Sequence, residues 1–256
     1  MRKNKANQIF QFKKFSINQE DCAMKICTDA CIFGACIDIS ESESILDIGT
    51  GTGLLSLMIA QRTENNPNPS QITAIEIEEN AFLRAKENFE NSDYRKRLSI
   101  FNFAIQDFSK NTTLEYEHII SNPPFFLHQQ KTENTSKNLA LHSEALSFDE
   151  LLVAIQKLLS TSGKCDILLP AFEMDIFIKK AEQYGLFPQR KLNILNRKED
   201  MDKIFRVITR FRRTQNEVVE EKTFVIYKSK EEKNIELNRG YTDEFVELLK
   251  DFYLIF

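Results

Sequence analysis

Residues 121–128 read SNPPFFLH and directly follow the apolar pair Ile119–Ile120. A proline fixes its own φ, offers no backbone donor and pushes the residue before it out of helix. Pro123 and Pro124 therefore hold the segment extended and leave backbone carbonyls without an obvious partner. Two readings fit: a strand-ending turn that happens to carry Phe125 and Phe126, or a rigid clamp for a flat group bearing an amine. The second has a chemical reason. An exocyclic aromatic amine is a poor nucleophile because its lone pair is delocalised into the ring. Two acceptors set out of the ring plane draw its N–H bonds toward tetrahedral geometry and localise that pair. The Asn122 side-chain oxygen and a proline-held carbonyl can be those acceptors.

A second motif, DIGTGTG at 47–53, closes an apolar run and opens one with helical spacing. In an open α/β sheet, ligands bind beyond the carboxyl ends of the strands, where such a turn lies. Gly49, Gly51 and Gly53 let the backbone approach a ligand and permit positive φ. Leu54 breaks the dinucleotide fingerprint G-x-G-x-x-G, and there is no Gly-Lys-Ser/Thr of a P-loop. What remains is G-x-G-x-G led by Asp47. Glu76, in AIEIEEN, can accept from two ribose hydroxyls; Asp107, in IQDF, can accept from an adenine amine with Phe108 or Ile105 against the ring. Singly, each acid reads as a helix N-cap or a solvated loop residue. At the tips of three successive strands they outline an adenosine site, with NPPFF at the tip of the fourth.

S-adenosylmethionine fits that outline better than a dinucleotide does. Its methyl group is already activated on a sulfonium, so catalysis reduces to positioning for in-line attack, with nearby aromatics dispersing charge. The product proton can leave to water. No dedicated base is required, and no His–carboxylate pair stands out among His118, His128 and His142.

The elements that must position these residues alternate from about residue 44. Strand-like runs at 44–48, 71–77, 98–103, 116–121 and 164–170 are interleaved with helical spacing at 54–62, 79–91, 148–160 and 172–185. That order predicts βαβ units and a mostly parallel sheet covered on both faces. Past Gly185 the runs 191–195, 203–211 and 222–227 have no helix between them, which predicts antiparallel pairing at one sheet edge. A closing helix is expected over 241–253. The longest polar gap, 127–146, follows NPPFF, and a loop of that length in a compact domain is functional or disordered.

Composition narrows the function classes. A chain of 256 residues can bury one sizeable core, and 42% hydrophobic with 28% charged residues is that of an ordinary globular protein. No apolar run reaches the roughly 18–20 residues of a membrane span, and the basic N-terminus lacks an apolar signal region, so a cytoplasmic protein is expected. Five cysteines, Cys22, Cys27, Cys31, Cys36 and Cys165, are an odd set without CxxC spacing or a nearby histidine, which predicts packing rather than a disulfide framework or a metal site. The net charge of −4 requires any nucleic-acid contact to come from local basic patches. Arg2, Lys3, Lys5, Lys13 and Lys14 precede the first acid, interleaved with Phe10, Phe12 and Phe15, and read as a solvated arm or an RNA contact. KIFRVITRFRR sets Arg206, Arg210 and Arg212 among Phe205, Val207 and Phe211: a strand whose basic face tracks a phosphate backbone, or a solvated edge strand.

D-I-G-T-G-T-G, Glu76, Asp107 and N-P-P-F together resemble the class I S-adenosylmethionine-dependent methyltransferases that act on amino groups. The stretch FQFKKFSINQEDCAMKICTDACIFGA, 10–35, and the ending FYLIF, 252–256, are similar to the bacterial family that methylates N6 of the adenine just 3′ of the anticodon in a valine tRNA. The resemblance spans nearly the whole chain. It implies a Rossmann-like α/β fold, a mostly parallel seven-stranded sheet with helices on both faces and an antiparallel edge. It also implies an arm and first helix, 1–40, packed on a methyltransferase domain, 41–256.

By the same resemblance, Gly49 and Gly51 pass under the methionine part of the cofactor, in the turn shared by Asp47 and Gly53. Glu76 takes the ribose and Asp107, with Phe108, the adenine. Lys25, Thr28 and Asp29 lie near the methionine end. Asn122 and the Pro123 carbonyl, aimed by Pro124, accept from the target amine while Phe125 stacks on the base. Lys13 and Lys14 touch the RNA. A monomer acting on a tRNA anticodon stem-loop follows, with no metal and no membrane. The alternatives are an rRNA guanine-N2 methyltransferase, since relatives with Phe at the clamp include such enzymes, a protein glutamine N5-methyltransferase, and a non-catalytic cofactor- and RNA-binding protein. The glutamine enzymes usually carry a helical N-terminal domain, and only about 40 residues precede the first strand here. An intact NPPF argues against the non-enzyme.

Overall fold

The computed structural model describes residues 8–22, 25–39, 41–124, 146–200, 202–229 and 240–256. The arm forms a small antiparallel hairpin, β1 (Ile9–Gln11) with β2 (Ser16–Asn18). The β-branched runs that follow become the strands of one large sheet: β3 (Ser44–Ile48), β4 (Gln71–Glu76), β5 (Leu98–Asn102), β6 (Tyr116–Ser121), β7 (Leu159–Leu169), β8 (Phe187–Arg197), β9 (Arg206–Arg212) and β10 (Glu220–Tyr227). Their order is β10-β8-β9-β7-β6-β3-β4-β5. Neighbours from β7 to β5 are parallel, joined by crossovers as strand–helix alternation requires.

Two expectations need correction. The sheet has eight strands, not seven, because β10 adds to the outer side of β8. The expected antiparallel pairing does fall in this half of the sheet: β9 inserts between β7 and β8 and is antiparallel to both, so β8 runs parallel to β7, and β10 pairs parallel to β8. The basic strand β9 is therefore interior, with both of its edges hydrogen-bonded, and not an edge strand.

Side-chain alternation sorts the core into two layers. On one face Ile45, Ile120, Leu168 and Ile208 pack under α1 (Thr28–Cys36), α2 (Leu54–Arg62), α3 (Glu79–Glu90) and α7 (Asp243–Leu249). On the other, Leu46, Ile119, Ile167 and Val207 pack under α4 (Ile105–Asn111), α5 (Phe148–Leu158) and α6 (Ala171–Gln183). Ser147 and Glu150 close a capping box at the start of α5. Helix α1 buries seven of its nine residues, Asp29 to Ala35, which explains why no amphipathic stripe marks it. A Cβ on Gly34 would lie 2.7 Å from Met58 Sδ, so glycine there lets α1 sit close against α2. Burying the side chains Ile32 and Phe33 alone contributes about 2 kcal/mol each to holding α1 on the sheet.

Candidate active site

The carboxyl tips of β3, β4 and β6 lie side by side, and the chemistry-bearing motifs follow each tip. Asp47, in β3, is fully buried; its Oδ2 accepts from Thr50 Oγ1 at 2.6 Å and Ser56 Oγ at 2.7 Å. Burial pushes its carboxyl up to about 6, against those two hydrogen bonds. Its Oδ1 is buried without a hydrogen-bond partner. The turn beyond it is pinned by Gly49 N and Thr50 N, which both donate to the Ile75 carbonyl.

The three glycines divide in role. All have positive φ, at 72°, 59° and 84°. A Cβ on Gly49 or Gly51 would meet nothing within 4 Å, so the space above the turn is open. A Cβ on Gly53 would lie 2.4 Å from Phe89 Cε1, so glycine there serves the packing of α2 against α3. Glu76, at the tip of β4, is nearly buried; its Oε2 accepts from Gly51 N at 2.8 Å and its Oε1 from Glu78 N at 2.9 Å. Each oxygen keeps a second lone pair for a ligand hydroxyl. An orphaned buried carboxylate oxygen, an open glycine cradle and an acid at the next strand tip fit an adenosine bearing a cationic amino-acid arm.

Asp107 stands in the first turn of α4, largely exposed, with Lys110 Nζ at 3.5 Å. Phe108 packs into the core beneath it, its ring 6.0 Å from that of Phe101. Ile77, the residue after Glu76, is 65% exposed, an apolar side chain at a strand tip beside the candidate ribose acid. Sequence reading passed over Ile77, Thr50 and Ser56. The first is visible as an apolar residue running past the acid; the hydroxyls follow Asp47 at three and nine residues.

The clamp segment is set beside this turn. Ile48 and Ser121 are ladder partners, and Ser121 Oγ donates to the Ile48 carbonyl at 2.8 Å. The next residues of the two strands are Gly49 and Asn122, so cofactor turn and clamp adjoin at about the 4.8 Å strand spacing. Asn122 and Pro124 are half-buried and Pro123 buried. Phe125 lies outside the described residues.

Other nominated residues take different positions. Lys25 is exposed and Thr28 opens α1. Asp29 is buried and paired with Arg206 Nε at 2.8 Å. Arg206 begins β9 just beyond the tip of β7, where Leu169 pairs with Val207, and so sits at the carboxyl edge. Arg210 turns inward: its guanidinium is 12% exposed, with Nη2 2.8 Å from Asp166 Oδ2 and Nη1 3.5 Å from Asp38 Oδ2. Arg212 donates to the Ser162 carbonyl, toward the opposite end of the sheet. The expected single basic face is thus divided, because two of its three arginines are ion-paired within the fold. Lys14 pairs with Glu64, past the end of α2 remote from the glycine turn, and Lys13 Nζ donates to backbone oxygens of Lys250 and Phe256.

A His–carboxylate pair does exist, contrary to expectation: His118 Nε2 lies 2.6 Å from Asp166 Oδ2 in the buried layer under α1. Burial holds His118 below its ordinary value, against the pull of Asp166. Its Nδ1 has no partner, which suits the neutral ring, since only a lone pair is then stranded. Burial by itself would raise Asp166, but the bond from His118 and the charge of Arg210 bring it net below the usual range. Among the described residues no group of His, Cys, Asp and Glu is placed to hold a metal ion, and no helix is long and apolar enough to cross a membrane.

The methyltransferase small domain family matches residues 22–163. A tRNA1(Val) (adenine(37)-N6)-methyltransferase of Dyadobacter fermentans is 42% identical over 255 residues, 98% of this chain and 99% of that protein. A protein of the same name from Cytophaga hutchinsonii is 39% identical over 97% of this chain and 99% of its own. In fold, the chain is similar to a solved structure of a predicted O-methyltransferase from Agrobacterium tumefaciens, with a TM-score of 0.61 at 12% identity over 88% of this chain and 96% of that one.

Proposed function

We infer the function from one premise: the chain belongs to the tRNA1(Val) (adenine(37)-N6)-methyltransferase family. It transfers a methyl group from S-adenosylmethionine to the exocyclic N6 of an adenine in a tRNA anticodon loop, which the relatives' names put at position 37 of a valine tRNA. The observation that carries this reading is the Ile48–Ser121 junction, which sets an amide and a proline-held carbonyl beside an open glycine turn. S-adenosylmethionine supplies a sulfonium methyl ready for displacement.

The chain's own residues do the rest. Gly49 and Gly51 would cradle the methionine part, the orphaned Asp47 Oδ1 would meet its ammonium, and Glu76 would hold the ribose hydroxyls. Ile77 and Asp107 would bound the adenine. Asn122 Oδ1 and the Pro123 carbonyl would accept from the target amine and localise its lone pair, with Pro124 fixing their aim and Phe125 stacking on the base. An adenine in a loop must be splayed out to reach such a clamp. The reading extends to a monomer working in the cytoplasm.

Methyl transfer from labelled S-adenosylmethionine into unmodified RNA, followed by nucleoside identification, tests it. N6-methyladenosine in the tRNA fraction is expected; label on guanine, or in protein only, refutes it. Asn122→Ala should lower the turnover on the order of 10²-fold with cofactor affinity kept, and wild-type turnover there would sink the clamp.

A further inference from the structure

Helix α1 and the residues just past its end are fastened lengthwise to strand β9 by two acid–arginine rungs. At the carboxyl edge Asp29 Oδ2 meets Arg206 Nε at 2.8 Å, with the two side chains 7% and 20% exposed. Lower down, Asp38 Oδ2 lies 3.5 Å from Arg210 Nη1, and the Asp38 carbonyl accepts from Arg210 Nη2 at 3.2 Å. The spacings match. Four strand residues from Arg206 to Arg210 advance about 13 Å, and the nine residues from Asp29 to Asp38, mostly helical, advance roughly the same. Both arginines point to the same face of the sheet, as a four-residue separation requires.

The two rungs differ in what they hold. The lower one joins the buried His118–Asp166 layer and lies below the ligand edge. The upper one grips the first turn of α1, which has no side-chain cap at Cys27, and thereby the segment 25–28 leading into it. That segment is also tethered by the bond from Ile26 N to Gln19 Oε1 at 2.9 Å and by packing of Ile26 against the core. Arg206 is itself braced: its guanidinium carbon lies 4.3 Å from the centre of the Phe205 ring, and Phe205 N donates to the Ile194 carbonyl. α1 and α2 run side by side, and α2 starts at the glycine turn, so the gripped end of α1 stands over the same edge as Gly49 and Gly51.

We propose that Arg206 is a positioning residue for cofactor binding: through Asp29 it holds segment 25–28 against the glycine turn, although its own strand belongs to the far half of the sheet. Asp29 is then a strut and not a ligand contact, and Arg206 is not an RNA contact. This rests on the S-adenosylmethionine reading above.

The test uses the full chain and S-adenosylhomocysteine as a non-reacting probe, titrated by calorimetry without RNA. Asp29→Asn and Arg206→Met should each weaken its binding about tenfold or more, because a small misplacement of a positioning segment is costly. The double variant should be no weaker than the worse single, since both break one contact. Arg206→Lys should recover part of the affinity. Asp38→Asn, which opens the lower rung, should bind as wild type. In methyl transfer the upper-rung variants should raise KM for S-adenosylmethionine, leaving KM for tRNA and the saturated kcat within about threefold of wild type. A merely structural pair would lower the melting temperature and leave these constants unchanged in the folded fraction. Unchanged probe affinity in Asp29→Asn overturns the proposal, as does a rise in KM for tRNA alone in Arg206→Met. If Arg206→Met does not fold, Asp29→Asn and Arg206→Lys decide the matter. Failure of the wild type to bind the probe would refute the cofactor reading itself, and the proposal with it.

Discussion

Asp47 is a costly residue, buried to the last atom with one oxygen unpaired, and its cost is visible in its titration. Burial lifts its carboxyl to about 6 in the folded chain, from an ordinary value near 4. An acid whose pKa is raised by folding contributes stability that is complete below the unfolded pKa and lost as pH rises through the folded one. A shift of about two units corresponds to roughly 3 kcal/mol lost between about pH 4 and 7. Asp47→Asn cannot titrate, yet its amide oxygen can still accept from Thr50 and Ser56. Its own absolute stability depends on how the new NH2 is housed, so the pH slope is the clean measurement. Urea unfolding at successive pH values should show the wild type losing ground to Asp47→Asn across that window; parallel curves would refute the shift. The same residue explains why the chain tolerates the cost: a cationic ligand arm would give the stranded oxygen a partner, and S-adenosylhomocysteine should accordingly bind Asp47→Asn more weakly.

At the level of elements, the buried layer between β6, β7 and β9 titrates in the opposite sense. His118 is held below its ordinary value by burial, so the unfolded chain takes up a proton that the folded one resists. Stability is therefore whole above about pH 6.5 and falls as the pH drops below it. Glutamine at 118 can still donate to Asp166, so His118→Gln should flatten that acid-side loss while lowering stability at neutral pH. A slope unchanged between about pH 6.5 and 5 would mean that His118 is not the titrating group. Asp166→Asn is the harsher change. It leaves the Arg210 guanidinium buried beside a neutral amide, and should cost roughly 3 kcal/mol or more in chemical unfolding. This layer also marks where reading the sequence stops. The parallel strands and the helices between them were legible because each is a local run with its own period. His118 and Asp166 are separated by 48 residues, Asp38 and Arg210 by 172, and no local pattern joins them. The place of β9 was hidden for the same reason. A strand with alternating arginines reads as a solvated face until the sheet order shows that it is interior and that α1 and the residues just past it bring acids to meet it.

For the whole molecule, the described part of the arm packs on the last residues of the chain, which bears on what Lys13 and Lys14 do. Arg2, Lys3 and Lys5 lie outside the described residues. Phe12 is fully buried, bridges to Tyr253 and stacks on Phe15 at 4.6 Å, while Lys13 N donates to the Phe252 carbonyl at 2.8 Å. The arm reaches the site as well. Asn88 Nδ2 donates to both Asn18 O in β2 and Thr52 O in the glycine turn, and its Oδ1 accepts from Asn18 N. In sequence FQFKKF was open to two readings, a solvated arm or an RNA contact; the packing of its aromatics was not legible, and the partners of its lysines lie within the fold. Lys14 is paired with Glu64, and Lys13 with backbone oxygens near the chain's end, both away from the glycine turn. A cation that binds phosphate releases counterions, so removing it lowers the slope of log K against log salt by about one. Cations already committed within the fold leave that slope alone. The Lys13→Ala, Lys14→Ala double variant should therefore keep the wild-type salt dependence of tRNA binding, measured by filter retention from low to moderate salt. Its thermal stability should fall by no more than about 1 kcal/mol, since both contacts are exposed. Phe12→Ala, by contrast, should cost about 3–5 kcal/mol and loosen β2 from Asn88, weakening cofactor affinity without altering the slope. A slope lowered by about two in the lysine variant would give the arm back to the RNA; an unaltered one would place the phosphate contacts elsewhere on a protein whose net charge is −4.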